Sequence, residues 1–300
     1  SLARQGDLSV LQNYLYLSFT DVVERYRHES QQYPWRGELQ LAVKQANCLK
    51  NAFGEDLKLN PERIKRIEPY QQVALGELRS GGRWRSQRDS QDLPDPDFVK
   101  ASKHFLQAAD QVQSIDEDRY IKYLSKSFRH LATASIRRGH GAAEGWITGK
   151  KFHETAIDVI SEMASDGTED SLTQTITETI ALHKFKAHEA SVIIAFRLGK
   201  PDEITEQADK AWELIDAVPV YVETDVLKTA KELSEALQLE NSGRIDEAID
   251  LYDEINNPKF DLNNRKIIAR MKRELDERNH QNSIDIATKL LEYNHSSPPS

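Results

Sequence analysis

Few residues in this chain are suited to chemistry, and they are scattered. Cys48 is the only thiol. Helical spacing groups it with Leu39, Val43, Ala46 and Phe53, so a small buried residue is expected there, as free cysteines commonly are. His183 and His188 stand five apart, with Glu189 beside the second. Ligands on one helical face stand three or four apart, so core or interface histidines are expected and no metal site is assigned. Gly139-His140-Gly141-Ala142-Ala143-Glu144-Gly145 is glycine-rich, but its spacing is not that of a phosphate-cradling loop. No HExxH, CxxC or nucleophile-elbow pattern occurs. Arg273 and His280, seven positions apart in a charged segment, are the last pair of interest. No catalytic residue and no cofactor is assigned from these.

The basic residues form a clearer pattern. Arg63, Lys65, Arg66, Arg79, Arg83, Arg85 and Arg88 gather around the polar stretch Gly81 to Asp95, with Trp84 between two arginines. Lys122, Lys126 and Arg129 share a face by helical spacing, and Arg137 and Arg138 follow. Phosphates are bound by Lys and Arg on one surface, and an exposed aromatic stacks on a base. Trp35 and Trp84 also lie beside arginines in turn-like settings. Such pairs anchor protein interfaces or tuck back onto the fold, and the sequence leaves both open. The net charge of −9 speaks against nucleic acid. Its distribution is uneven: residues 1–150 hold 23 basic against 19 acidic residues, and 151–300 hold 17 against 30.

The elements that position these residues are helical. Apolar residues recur at spacings of three and four in Phe98, Ala101, Phe105, Ala109 and Val112, and again in Ile121, Leu124, Phe128 and Leu131. The same spacing runs through Ile204, Ala208, Ala211, Trp212, Ile215 and Val218, and through Ile245, Ala248, Ile249, Tyr252 and Ile255. Residues 171–198 carry two stripes, one through Leu172, Ile176, Ile180, His183, Ala187 and Ile194. The other runs through Ala181, Phe185, His188, Val192 and Ala195, so this helix needs neighbours on two sides. The predicted helices are 7–29, 36–53, 61–67, 69–80, 96–113, 117–137, 141–149, 151–165, 171–198, 201–217, 222–241, 244–256, 262–278 and 282–294. Pro61, Pro96 and Pro201 are placed at first helical positions, and Pro69 is expected to split two helices. Residues 296–300 are expected to be disordered.

Short connections and paired helices suggest an α-solenoid. The clearest unit runs from Ala236 through Gly243 and Ala248 to Tyr252 and Pro258. It resembles a tetratricopeptide repeat, in which a small residue, a turn glycine, an alanine and an aromatic occupy these four places. Two weaker echoes centre on Gly199, with Ile204 in the alanine place, and on Gly149, with Ala156. The resemblance implies antiparallel helix pairs stacked as a right-handed helical array over roughly residues 97–294. It carries no chemistry. The spacing of Arg273 and His280 separately resembles the Arg/His signature of HEPN ribonucleases, which are also helical.

The domain reading is an N-terminal helical region over 1–95, repeats over 96–295, and a tail. A protein or peptide is the expected partner, bound by a non-catalytic scaffold or adaptor. A nucleic-acid-binding subunit using the basic residues is the alternative, and a helical ribonuclease the remote one. One cysteine, no run of eighteen apolar residues and no secretory pattern lead to the expectation of a cytoplasmic, reducing compartment without a membrane span.

Overall fold

The computed structural model describes residues 2–24, 36–53, 61–81, 95–139, 141–163, 170–218 and 222–276, with 284 and 288 besides. These residues form helices and no strand. In chain order they are α1 (Leu2–Glu24), α2 (Arg36–Cys48), α3 (Pro61–Arg79), α4 (Phe98–Val112), α5 (Glu117–Arg138) and α6 (Ala143–Ser161). Then follow α7 (Asp170–Leu198), α8 (Pro201–Trp212), α9 (Asp225–Lys228), α10 (Ala230–Asn241), α11 (Ile245–Glu254) and α12 (Leu262–Asp276). A π-turn over Leu49–Phe53 continues α2, and a 3-10 turn over Ile215–Ala217 follows α8. Helices pack against neighbours in sequence order.

Several local expectations change. Pro69 does not split a helix but sits inside α3. There its ring takes away the helix hydrogen bond to the carbonyl of Lys65, and the helix continues to Arg79. Pro96 lies before the helix. Asp97 is the cap, and its Oδ1 accepts the Lys100 N–H at 2.9 Å. Pro201 does stand at the first position of α8. Gly149 is not a turn residue, because α6 runs unbroken from Ala143 to Ser161 and the left-handed glycine nearby is Gly141, at φ +71°. The predicted helix over 222–241 breaks at Thr229, whose hydroxyl bonds back to the Asp225 carbonyl at 3.0 Å.

Cys48 is exposed, not buried. The buried face of α2 is Leu39, Ala42, Ala46 and Leu49. Cys48 follows Leu39 by nine residues, or two and a half turns, and so points to the opposite side.

The chain divides into two compact units, 1–134 with 159–179 and 135–158 with 180–300. In the first, Tyr16 and Phe19 of α1, Leu39, Ala42, Ala46 and Leu49 of α2, Tyr70, Val73 and Ala74 of α3, and Phe105 and Ala108 of α4 form one core. The core therefore does not break at residue 95. Gly76 makes the α3–α4 approach possible, since a Cβ there would lie 2.8 Å from the Phe105 ring. Phe105 in turn stacks on His130, with centroids 5.1 Å apart.

The second unit centres on α7. Phe185, Val192, Ile193, Ala195 and Phe196 are all buried in a core shared with α8, α9, α10 and α11. Phe196 meets Tyr252 and Phe260 edge-on, at interplanar angles of 83° and 80°. Both predicted stripes of α7 contain buried residues, as a helix with neighbours on two sides requires. Trp212 departs from its stripe, being 39% exposed.

Candidate partner-binding site

The repeat-like unit is built by α10 and α11. Ala236 and Ala248 are fully buried, and no larger side chain holds the helices apart at either place. Gly243, at φ +83°, ends α10 in a Schellman turn. The Arg244 N–H reaches the Leu239 carbonyl at 3.0 Å and the Gly243 N–H reaches Glu240 at 3.2 Å. Gly199, at φ +71°, closes α7 the same way: Lys200 N–H bonds Ala195 and Gly199 N–H bonds Phe196. Positive φ is the conformation that a side chain resists, which is why glycine occupies both turns.

Tyr252 does more than fill space. Its hydroxyl donates to Glu240 Oε2 at 3.0 Å. Glu240 is a wholly buried carboxylate on α10, and α12 supplies its charge partners. Arg265 Nε donates to Oε2 at 2.8 Å and Arg265 Nη2 to Oε1 at 2.7 Å, while Lys272 reaches Oε1 at 2.5 Å. Burial, then the Glu240 charge, raises the Tyr252 hydroxyl above its ordinary value, so it stays a donor. One carboxylate thus ties three consecutive helices together. Arg265 also sits over the Phe196 ring at 6.0 Å and against Gly199.

A second buried carboxylate, Glu189 of α7, accepts from Lys186 at 2.7 Å and from Lys259 at 2.9 Å. Burial alone would raise the Glu189 carboxyl, but the two ammonium groups outweigh it and hold the carboxyl below its usual range. Lys259 bonds Glu223 as well, which fixes the stretch after α11 against the core.

The predicted histidines resolve as core and interface groups. His183 is fully buried on α7 and its Nδ1 lies 2.9 Å from Nδ1 of the buried His153 on α6. In that contact one ring donates and the other accepts. His188 Nδ1 meets Gln207 Oε1 at 2.8 Å. Among the described residues no group of three His, Cys, Asp or Glu side chains is placed to hold a metal.

Trp35, Arg83, Trp84, Arg85, Arg88 and His280 lie outside the described residues. Arg273 is described: it pairs with Asp246 at 2.5 Å. Of the basic row on α5, Lys122 is exposed and bonds Asp118 at 2.9 Å. Lys126 is mostly covered and bonds Glu77 at 3.0 Å. Arg129 is half-buried, and Arg137 and Arg138 are exposed in the last turn. Carboxylates therefore meet the charge of Lys122 and Lys126 locally.

Compared with protein-family models, with curated proteins and with solved structures, the chain matches none. No helix among the described residues is long and apolar enough to cross a membrane.

Sequence reasoning named Glu189 without a role for it, and missed Glu240 and the contact of His153 with His183. A signal existed for Glu240, which continues the spacing of Leu233, Ala236 and Leu237 into the buried face of α10. A charge on an apolar stripe asks for a partner. Nothing in the sequence says that the partner comes from Arg265, 25 positions on.

Proposed function

We propose that the chain is a non-catalytic scaffold that binds a protein or peptide through its helical-repeat surface. The observation that carries this is the α10–α11 unit, where Ala236, Gly243, Ala248 and Tyr252 occupy the packing and turn roles of a tetratricopeptide-like pair. On this reading the helices form antiparallel pairs stacked as a TPR-like α-solenoid, in a cytoplasmic protein. Helical arrays of that kind present long surfaces to peptides and partner domains, so the step from fold to function is one of analogy. The exposed row Lys231, Glu235 and Gln238 on α10 is one contact surface, and the unit's packing residues hold it rigid. Trp35, Trp84, Arg83, Arg85 and Arg88 supply aromatic and guanidinium anchors of the type that dominates interfaces.

Nucleic acid is the second reading. It rests on Arg137, Arg138 and the arginines around Trp84, and the local pairing of Lys122 and Lys126 counts against it. Affinity capture on the tagged chain, followed by direct titration of the captured protein, separates the two. A purified protein that binds saturably without nucleic acid supports the scaffold. Capture that vanishes on nuclease treatment, together with salt-sensitive oligonucleotide binding, replaces it with the second reading.

A further inference from the structure

Among the described residues of the second unit, every Lys and Arg that is at least partly buried meets a carboxylate, except one. Arg265 holds Glu240, Lys186 and Lys259 hold Glu189, Lys266 holds Asp253 and Arg273 holds Asp246. Arg197, in the last turn of α7, is partly buried and forms no ion pair there, and its Nε lies wholly inside with no hydrogen-bond acceptor. The acid whose charge reaches it is Asp261, which spends both oxygens on Asn264. Burial outweighs Asp261 and pulls the guanidinium below its ordinary value. Nη2 of Arg197 meets the turn between α5 and α6, where a Cβ on Gly141 would lie 3.6 Å from it. Trp146, in the first turn of α6, carries a second buried donor without an acceptor, Nε1. Arg138 is exposed at the end of α5, and the nearby Glu144 is exposed and makes no bond to Arg197.

We propose that Arg197, at the Gly141 turn, binds an oxyanion, a phosphoryl or carboxylate group. The donors select the ligand, because guanidinium and indole nitrogens donate and do not accept. A buried donor left without an acceptor destabilises the fold, most of all on a charged group. A water would satisfy Nε but not the charge, whereas an oxyanion supplies acceptor oxygens and negative charge together. A planar guanidinium suits carboxylate and phosphate alike, since each presents two oxygens to its fork. The affinity is modest for two reasons. One guanidinium carries most of the attraction, and residues 151–300 hold 17 basic against 30 acidic residues, so the site works against its surroundings. Half-saturation falls on the order of 1 mM.

The test follows the Arg197 Nε–H resonance of the full chain by nitrogen–proton NMR, assigned as the signal missing from Arg197→Lys. Sodium phosphate and, separately, sodium acetate are added to about 50 mM at constant ionic strength, well past the expected half-saturation. At least one of them should move that signal saturably, with a midpoint of about 1 mM. Saturation by phosphate far below acetate assigns a phosphoryl ligand, and the reverse assigns a carboxylate. The anion that binds should also raise the melting temperature of wild type and not that of Arg197→Met. A signal that neither anion moves, or that sodium chloride moves equally, overturns the proposal and leaves the buried nitrogen to water. An equal gain in melting temperature for Arg197→Met overturns it as well.

Discussion

Arg265 grips Glu240 with two nitrogens, at 2.8 and 2.7 Å, in a site where the carboxylate side chain is wholly buried and the guanidinium nearly so. Bidentate geometry of this kind is the strong form of a charge-assisted hydrogen bond. Its importance is in what a single deletion leaves behind. Arg265→Met removes both guanidinium bonds and leaves the buried carboxylate to the Lys272 ammonium and the Tyr252 hydroxyl alone, and the loss should be roughly 3 kcal/mol of unfolding free energy, the low end for a broken buried pair. Glu240→Leu with Arg265→Met should cost clearly less than the two single variants summed. Urea unfolding of the four proteins measures the coupling, and additive losses would show that the pair does not act as a unit.

Gly76 offers a sharper packing test. Alanine is the better helix former by about 1 kcal/mol. Its Cβ, however, would lie 2.8 Å from a Phe105 ring that is itself fully buried and stacked on His130. Overpacking should win, leaving Gly76→Ala destabilised by about 1–2 kcal/mol. Phe105→Leu in the same chain should return part of the loss. A Gly76→Ala variant more stable than wild type would mean that α3 and α4 are not so close.

His130 makes the first unit sensitive to acid. Burial lowers its value from 6.5 to about 4, with Glu77 opposing and Arg129 and Lys126 adding to the fall. The folded state therefore prefers the neutral ring, and the unfolded chain takes up the proton first. Stability should be full above pH 6.5 and fall as pH drops toward 4, by about 3 kcal/mol in all. His104 acts in the same direction, through burial and then Arg79. Urea midpoints across that range should show the slope, and His130→Phe should flatten most of it. An unchanged slope in the variant would remove His130 as the cause.

Cys48 should react with a thiol reagent in native buffer at close to the rate seen in denaturant, since it is exposed on α2. Strong protection in the folded protein would restore the buried placement that its apparent stripe suggested.

The helical class was legible because period and capping are local. The stripes through Phe105, Phe185 and Ile245 needed no knowledge of their partners, and Gly199 and Gly243 announced the turns they make. Cys48 misled because a stripe read through Val43 and Phe53 drifts around the helix, whereas Leu39, Ala42, Ala46 and Leu49 hold one side. Gly149 misled because glycine marks a turn only where φ is positive, and α6 runs straight through it. The partners of the buried carboxylates were invisible for a different reason. Glu189 meets Lys259 70 positions away, a pairing that only the folded chain creates.

The scaffold reading meets its most direct test in one titration. The captured partner, purified and free of nucleic acid, is titrated into wild type and into two variants of the full chain. One variant carries Lys231→Glu, Glu235→Lys and Gln238→Ala on the exposed face of α10. The other carries Arg83→Glu, Arg85→Glu and Arg88→Glu with Trp84→Ala. Saturable binding to wild type, weakened at least tenfold (about 1.4 kcal/mol) by one variant or both while the melting temperature holds, is the predicted result. Equal affinity for all three proteins, or signal that appears only when nucleic acid is added, would contradict the account.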